Sequence, residues 1–575
     1  MNNRICQNCK NDFEIITDEL SFYEKLKIVP PSWCASCRMA RTMSFINIRS
    51  FYKRTCNLCG KFIITLYKIT DKAPVYCNEC WQSDNWDVSV YSKEIDTSKT
   101  FFEQWHELFQ IVPRQALRRV QMVDSDYMNL SIQCNHCYLG YSIFRSEYVN
   151  YSECVDDSKN CTDCITTKGS EWCYESADSI SNYNCCYISE SKNCINSQFL
   201  LNCANCQDCF MSSNLRNSRY VFRNTQLSKE EYTLNIANES LDKYSNIRNL
   251  MNEFKSLKEN SIHKYADIIN SINATGNNIV NSKNVINSYM IADGENINNS
   301  VRILEVKDMG NCFFVAGSES LYSCFSCSLG SYQMRNCMYS NGSKDLDYCY
   351  LCTNCENLFG CIGLKNQKYC IFNKQYSKKE YFEKVEEIKI SMTLNPYIDI
   401  AGRSYVYGDF FPFAMSPFSY NETMARDYFP ITEEEVVKNG FVNLDPKQHS
   451  YNVTIKASML PDSINEYTDS ICSEIIECEH KGECNDQCAT AFRIIPDDYI
   501  SYKKMNIPIP RLCPNCRYYA RLASRPPRKL WERSCMCDKT NHGHETNCTT
   551  LFKTSYSPNR PEIVYCESCY QKEVL

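Results

Sequence analysis

The apolar positions in the middle of the chain follow neither a helical nor a simple alternating pattern. Residues 137, 149, 161, 173 and 185 are Cys, Val, Cys, Cys and Cys, twelve apart, and Cys194 and Cys206 keep the same spacing. A second run, Val285, Ile297, Cys312, Cys324, Cys337, Cys349 and Cys361, has intervals of 12, 15, 12, 13, 12 and 12. Small buried residues returning at so short a period predict a parallel β-helix, a solenoid in which each turn stacks on the last. Asparagine often precedes the cysteine, at Asn160, Asn184, Asn193, Asn205, Asn311 and Asn336, as a stacked amide ladder requires. Short runs broken by Asn, Ser and Gly turns fit strands better than helices.

The two runs are copies. At an offset of 149, the stretch from Leu215 to Tyr232 matches Leu364 to Tyr381. Each copy ends on a Ser with Glu three residues later, Ser228 with Glu231 and Ser377 with Glu380, which predicts a capping box and a helix behind it. The first helical segment is expected to reach about Ser271 and the second about Met392. From Pro396 to Pro430 cysteine vanishes and aromatics crowd together, among them Tyr405, Tyr407, Phe410, Phe411 and Phe413, which predicts an extended strap along a solenoid face.

The two ends follow another rule. The first block reads Cys6-x2-Cys9, Cys34-x2-Cys37, Cys56-x2-Cys59 and Cys77-x2-Cys80. Two such knuckles some 20 residues apart bring four thiolates to one tetrahedral zinc. Neighbours pair as Cys6, Cys9, Cys34 and Cys37, then as Cys56, Cys59, Cys77 and Cys80. At an offset of 479 the C-terminal block repeats this one: Tyr23 meets Tyr502, and Cys34-x2-Cys37-Arg38 meets Cys513-x2-Cys516-Arg517. A third site is then Cys484, Cys488, Cys513 and Cys516, with Cys478 or His480 as substitutes for the first ligand. A ten-residue insertion splits a knuckle in the fourth site, Cys535, Cys548, Cys566 and Cys569. It leaves Cys537, His542 and His544 in a loop, as solvated residues, a replacement ligand or donors to a second metal.

Composition turns this pattern into a metal argument. The chain has 575 residues, enough for about three to five domains, with 40 cysteines but only seven histidines and a net charge of -6. The sequence Met1-Asn2-Asn3-Arg4-Ile5-Cys6 carries no apolar leader, and no 18 apolar residues run together, so the expectation is a cytoplasmic protein without membrane contact. Thiols there stay reduced, which favours metal over disulfides. The resulting division is tandem zinc ribbons at 1–82, a linker with a helical cap at 83–125, a first array at 126–227, a helix at 228–272, a second array at 273–376, a helix at 377–394, the strap at 395–471 and tandem ribbons at 472–575. The fold class is mainly β and multidomain, with about four structural zinc ions.

Cys6-x2-Cys9, Phe13, Asp18-Glu19-x2-Phe22-Tyr23, Pro31 and Cys34-x2-Cys37-Arg38-x2-Arg41 resemble the small zinc-ribbon family of treble-clef type, over about 40 residues at each end. The whole chain resembles the cysteine-rich multi-ribbon proteins of candidate-phyla bacteria. This resemblance implies zinc and a second knuckle that opens a helix carrying Arg38 and Arg41, but no activity.

Charge divides along the chain. Residues 1–120 carry 17 basic and 13 acidic groups, residues 484–575 carry 14 and 9, and the remainder 31 and 46. Arg517, Arg521, Arg525, Arg528, Lys529 and Arg533 follow one another with Tyr518, Tyr519 and Trp531 interleaved, which makes nucleic acid or ribonucleoprotein a candidate partner. The competing expectations are a protein-docking scaffold and basic groups that merely support the thiolates. Redox chemistry rests on the triplets Cys203-x2-Cys206-x2-Cys209 and Cys349-x2-Cys352-x2-Cys355, an iron–sulfur spacing. The triplets are out of register between the copies, which favours packing. Sites filled by four thiolates leave no open position for catalysis, and no nucleophile or phosphate-loop motif is present. The expectation is therefore a non-enzymatic, zinc-binding adaptor or nucleic-acid-binding protein.

Overall fold

The computed structural model describes residues 2–443 and 451–574. Residues 444–450 of the stretch expected as a strap lie outside it. Strands predominate, and most belong to two large sheets, one of fourteen strands from Arg119–Val123 to Thr225–Gln226 and one of ten from Ile268–Ile269 to Lys374–Gln375. In each sheet the pairing is parallel until a closing antiparallel hairpin.

The spacing in sequence becomes register in space. Cys161 faces Cys173 and Cys173 faces Cys185, and Tyr289, Val301 and Phe313 face one another in turn. Where the interval is 13, between Cys324 and Cys337, the register lengthens with it and Glu319 faces Tyr332. A shorter period lies inside the twelve. From Gln121 to Arg223 every third residue has a positive φ, as do the corresponding residues from Asn278 to Leu329. The backbone thus bends after every three residues, and four bends complete one repeat. The left-handed region is costly for most side chains and least so for Asn and Asp, which is one reason these residues recur.

The inward cysteines have a backbone role. Cys161 Sγ donates to the carbonyls of Lys159 and Ser170, at 3.3 and 3.5 Å, and the same pair of acceptors, two residues back and nine ahead, recurs at Cys203 and Cys355. A small thiol is buried there and adds a weak second donor to carbonyls that already accept backbone N–H groups, as Ser170 does from Lys159 and Leu201 from Asn214. Outside, amides stack as expected at Asn184 on Asn196 and along Asn193, Asn205 and Asn217. Asn311 instead accepts a hydrogen bond from Arg38.

Both predicted capping boxes are present, at Ser228 with Glu231 and Ser377 with Glu380. Behind the first lie two helices, Lys229–Asn238 and Tyr244–Asn260, after which the chain returns to strand at Ile262–Lys264. Behind the second lies Lys378–Leu394. The aromatic stretch lies between the N-terminal end and the second sheet and, rather than staying extended, is broken by helical turns at Phe413–Met415, Tyr420–Glu422 and Met424–Tyr428: Phe410 meets Phe45, Phe411 lies 4.1 Å from Trp105, and Tyr407 stacks on Phe359.

The ends cross over. The N-terminal end packs on the second sheet and the C-terminal end on the first, through equivalent residues. Glu19 accepts from Asn299 at 2.9 Å, and Asp498, its counterpart 479 residues later, accepts from Asn150 at 2.8 Å. Tyr23 sets its edge against Tyr322 and Tyr502 against Tyr174. The two sheets meet at a buried ion pair between Glu153 and Arg302.

Candidate metal centres

Each of the four modules is a short antiparallel hairpin followed by a helix. The hairpins are Asn2–Ile5 with Asp12–Ile15, Tyr52–Thr55 with Phe62–Thr65, Ile476–Glu477 with Ala491–Phe492, and Trp531–Ser534 with Leu551–Thr554. The helices are Ala35–Met43, Asn78–Gln82, Pro514–Ala523 and Glu567–Val574. In the first two modules the knuckle is closed by a residue with positive φ, Lys10 or Gly60, whose N–H returns to the carbonyl of Cys6 or Cys56. Cys34, Cys77 and Cys513 sit at helix N-caps.

The sulfurs gather into four groups, each with all its ligand atoms within 4.8 Å: Cys6, Cys9, Cys34 and Cys37; Cys56, Cys59, Cys77 and Cys80; Cys478, Cys488, Cys513 and Cys516; and Cys535, Cys548, Cys566 and Cys569. Cys9 and Cys34 are 3.8 Å apart, and Cys59–Cys77, Cys478–Cys516 and Cys548–Cys566 each 3.9 Å. Four metal–sulfur bonds of about 2.3 Å in a tetrahedron set their sulfurs about 3.8 Å apart. All 40 cysteines are free thiols. The donor sets fit a tetrahedral, thiolate-binding ion and are compatible with ribbon-like modules.

Backbone hydrogen bonds identify equivalent ligands. The first cysteine of the second knuckle donates its N–H to the first sulfur of the module: Cys34 to Cys6, Cys77 to Cys56, Cys513 to Cys478 and Cys566 to Cys535, at 3.2 to 3.3 Å. This places Cys478, not Cys484, in the position of Cys6. Cys484 lies 3.6 Å from Cys516, with which it forms a second group together with His480 and Asp486. The spacing misleads there because nine residues open the third knuckle, and only the N–H of Cys513 marks which sulfur belongs. Cys537, His542 and His544 of the split fourth knuckle lie against their own module rather than in solvent, with His542 buried.

Local hydrogen bonds favour ionisation at two of the sulfurs, Cys56 and Cys548. Burial opposes ionisation of Cys56, but the N–H groups of Cys59, Cys77 and Leu58 outweigh it and hold the thiol down at about 6. Cys548 is likewise held at about 6, burial being outweighed by the hydroxyl and N–H of Thr550. Asn8 Nδ2 supports Cys37 from outside at 3.3 Å while its Oδ1 accepts from Arg403.

The arginines beside the knuckles face inward. Arg38 donates to Asn311, and Arg41 lies 3.5 Å from Asp409 and over the Trp33 ring. Arg517 Nε meets Asp163 at 2.8 Å, Arg521 bridges Asp163 and Glu175, and Arg525 grips both oxygens of Asp178. Arg528 stacks on Tyr428 at 3.7 Å, and Arg533 donates to the carbonyls of Ser557 and Glu562. Lys529 is exposed. The carboxylates that pair with Arg517, Arg521 and Arg525 lie some 350 residues away, where the sequence could not reveal them.

No protein-family model matches the chain, and no curated protein matches it. Among the described residues no helix is long and apolar enough to cross a membrane.

Proposed function

We propose that the protein is a zinc-dependent, non-enzymatic scaffold, in which two pairs of treble-clef ribbons clasp a duplicated parallel β-helix from opposite ends of the chain. The single observation that carries this reading is the inward pairing of Arg517, Arg521 and Arg525 with Asp163, Glu175 and Asp178. The basic ends and the acidic trunk neutralise one another within the molecule, so the stripe that resembles a nucleic-acid contact acts as an internal dock. Zinc fits the all-sulfur, tetrahedral donor sets best and needs no redox partner. Such ions contribute about 10 to 16 kcal/mol of apparent binding energy to small modules, more than hairpins of two to four residues a side can supply alone. The thiols of Cys203, Cys209, Cys352 and Cys355 donate to backbone carbonyls, which supports packing over an iron–sulfur cluster.

The test is direct. Purified, zinc-loaded protein is titrated with single-stranded RNA and DNA over a range of salt. The scaffold reading expects no salt-dependent retention; retention that falls steeply with salt and weakens when Lys529 is reversed in charge supports nucleic-acid binding instead.

A further inference from the structure

The C-terminal modules differ from the N-terminal ones in one respect. The first knuckles of the first two modules have two intervening residues, whereas nine separate Cys478 from Cys488 and twelve separate Cys535 from Cys548. Each longer loop brings further donor side chains to its own module: His480, Cys484 and Asp486 gather at Cys516, while His544 reaches Cys569 and His542 reaches Cys537.

In the third module, ligand atoms of His480, Cys484, Asp486 and Cys516 all lie within 4.8 Å of one another. Nδ1 of His480 is buried with no hydrogen-bond partner, a costly state for an imidazole nitrogen unless something else engages it. In the fourth, Cys537 Sγ lies 3.2 Å from Nδ1 of His542, and Cys569 Sγ lies 3.5 Å from Nε2 of His544. A tetrahedral ion with sulfur at about 2.3 Å and nitrogen at about 2.0 Å sets such atoms about 3.5 Å apart. The far nitrogens are already engaged. His542 Nε2 faces the Glu573 carboxylate at 3.3 Å, and Nδ1 of His544 donates to the Thr546 carbonyl. Each ring thereby turns its lone pair toward sulfur, which is how a carboxylate or carbonyl behind a histidine prepares it for a metal.

We propose that each opened knuckle forms a second metal site that shares the module's last thiolate with the first: His480, Cys484 and Asp486 with Cys516, and Cys537, His542 and His544 with Cys569. This rests on the reading of the four primary groups as metal sites. A thiolate has lone pairs enough to bridge two d10 ions, and the second cation offsets the negative charge that four thiolates leave around the first. The N-terminal modules, with closed knuckles, hold one ion each.

The experiment is a metal count on the full chain, loaded with zinc under reducing conditions and dialysed exhaustively. Six ions per chain are expected. Any lower count overturns the shared sites; a count of four leaves the primary groups standing, and a count of zero removes them as well. The double substitutions H542A/H544A and H480A/C484A should each remove one ion while the folded spectrum persists. In protein loaded with isotopically labelled cadmium, each C-terminal pair should show cadmium–cadmium coupling, and four uncoupled all-sulfur signals would overturn the proposal even if a variant fails to fold.

Discussion

Arg517 donates from Nε to Oδ2 of Asp163 at 2.8 Å across 354 positions of the chain, and both side chains are buried, at 5 % and 0 % exposure. Asp163 also lies 2.9 Å from Nη1 of Arg521. One carboxylate therefore holds two guanidinium groups of the third module against the first sheet.

Removing one partner of a buried pair is costly because the other charge remains. Asp163→Ala should destabilise the protein by about 3 to 5 kcal/mol, read as a lower midpoint in denaturant and faster proteolysis within residues 476–574. Asp163→Asn, which keeps hydrogen-bond acceptance, should cost less. Equal, small effects from the two would contradict the docking role.

A second contact makes docking depend on pH. Burial raises the Asp498 carboxyl to about 7, against hydrogen bonds from Asn150 and Tyr151 that pull it down. Because the folded value lies above the ordinary one of about 3.9, the native state binds the extra proton. The contribution is therefore largest below pH 4 and is lost as pH rises toward 7. Asp498→Asn, neutral at every pH, should raise the melting temperature most at pH 8 and progressively less as the pH falls toward 5. A stabilisation independent of pH would contradict this account.

The outer support of the first centre is separable from its ligands. Asn8→Ala removes the donor to Cys37, and loss of such a partner typically lowers metal affinity by about 10- to 100-fold. Zinc competition with a chromophoric chelator should show one weakened ion in an otherwise unchanged set.

The two kinds of cysteine should separate cleanly. Cys34→Ser is expected to lose one ion. Cys203→Ser and Cys352→Ser should lose none, because a hydroxyl can make the same bonds to the carbonyls of Leu201 and Tyr350. Iron with visible absorbance that disappears in Cys352→Ser would point to a cluster.

Much of this was legible before the structure. The interval of twelve became the register of Cys161, Cys173 and Cys185, and even the single interval of thirteen survived as Glu319 facing Tyr332. Both capping boxes were readable because they are local. Other features depended on distant chain. Arg517 reads as an exposed basic residue until Asp163 is placed beside it. Cys478 was only one of several first ligands until the N–H of Cys513 pointed at it. The three-residue bend period escaped because left-handed backbone is carried here by Tyr, Glu, Phe and Arg as well as by Asn, so composition marks it only faintly.

The most direct test of the central claim is hydrogen exchange on the reduced protein before and after complete metal removal, with metal content measured on the same samples. The account predicts that backbone amides of the terminal modules, such as those of Cys34 and Cys566, lose protection when the metal leaves, while those in the paired strands around Cys173 and Val301 remain slow. Terminal modules that stay equally protected at zero metal would contradict it.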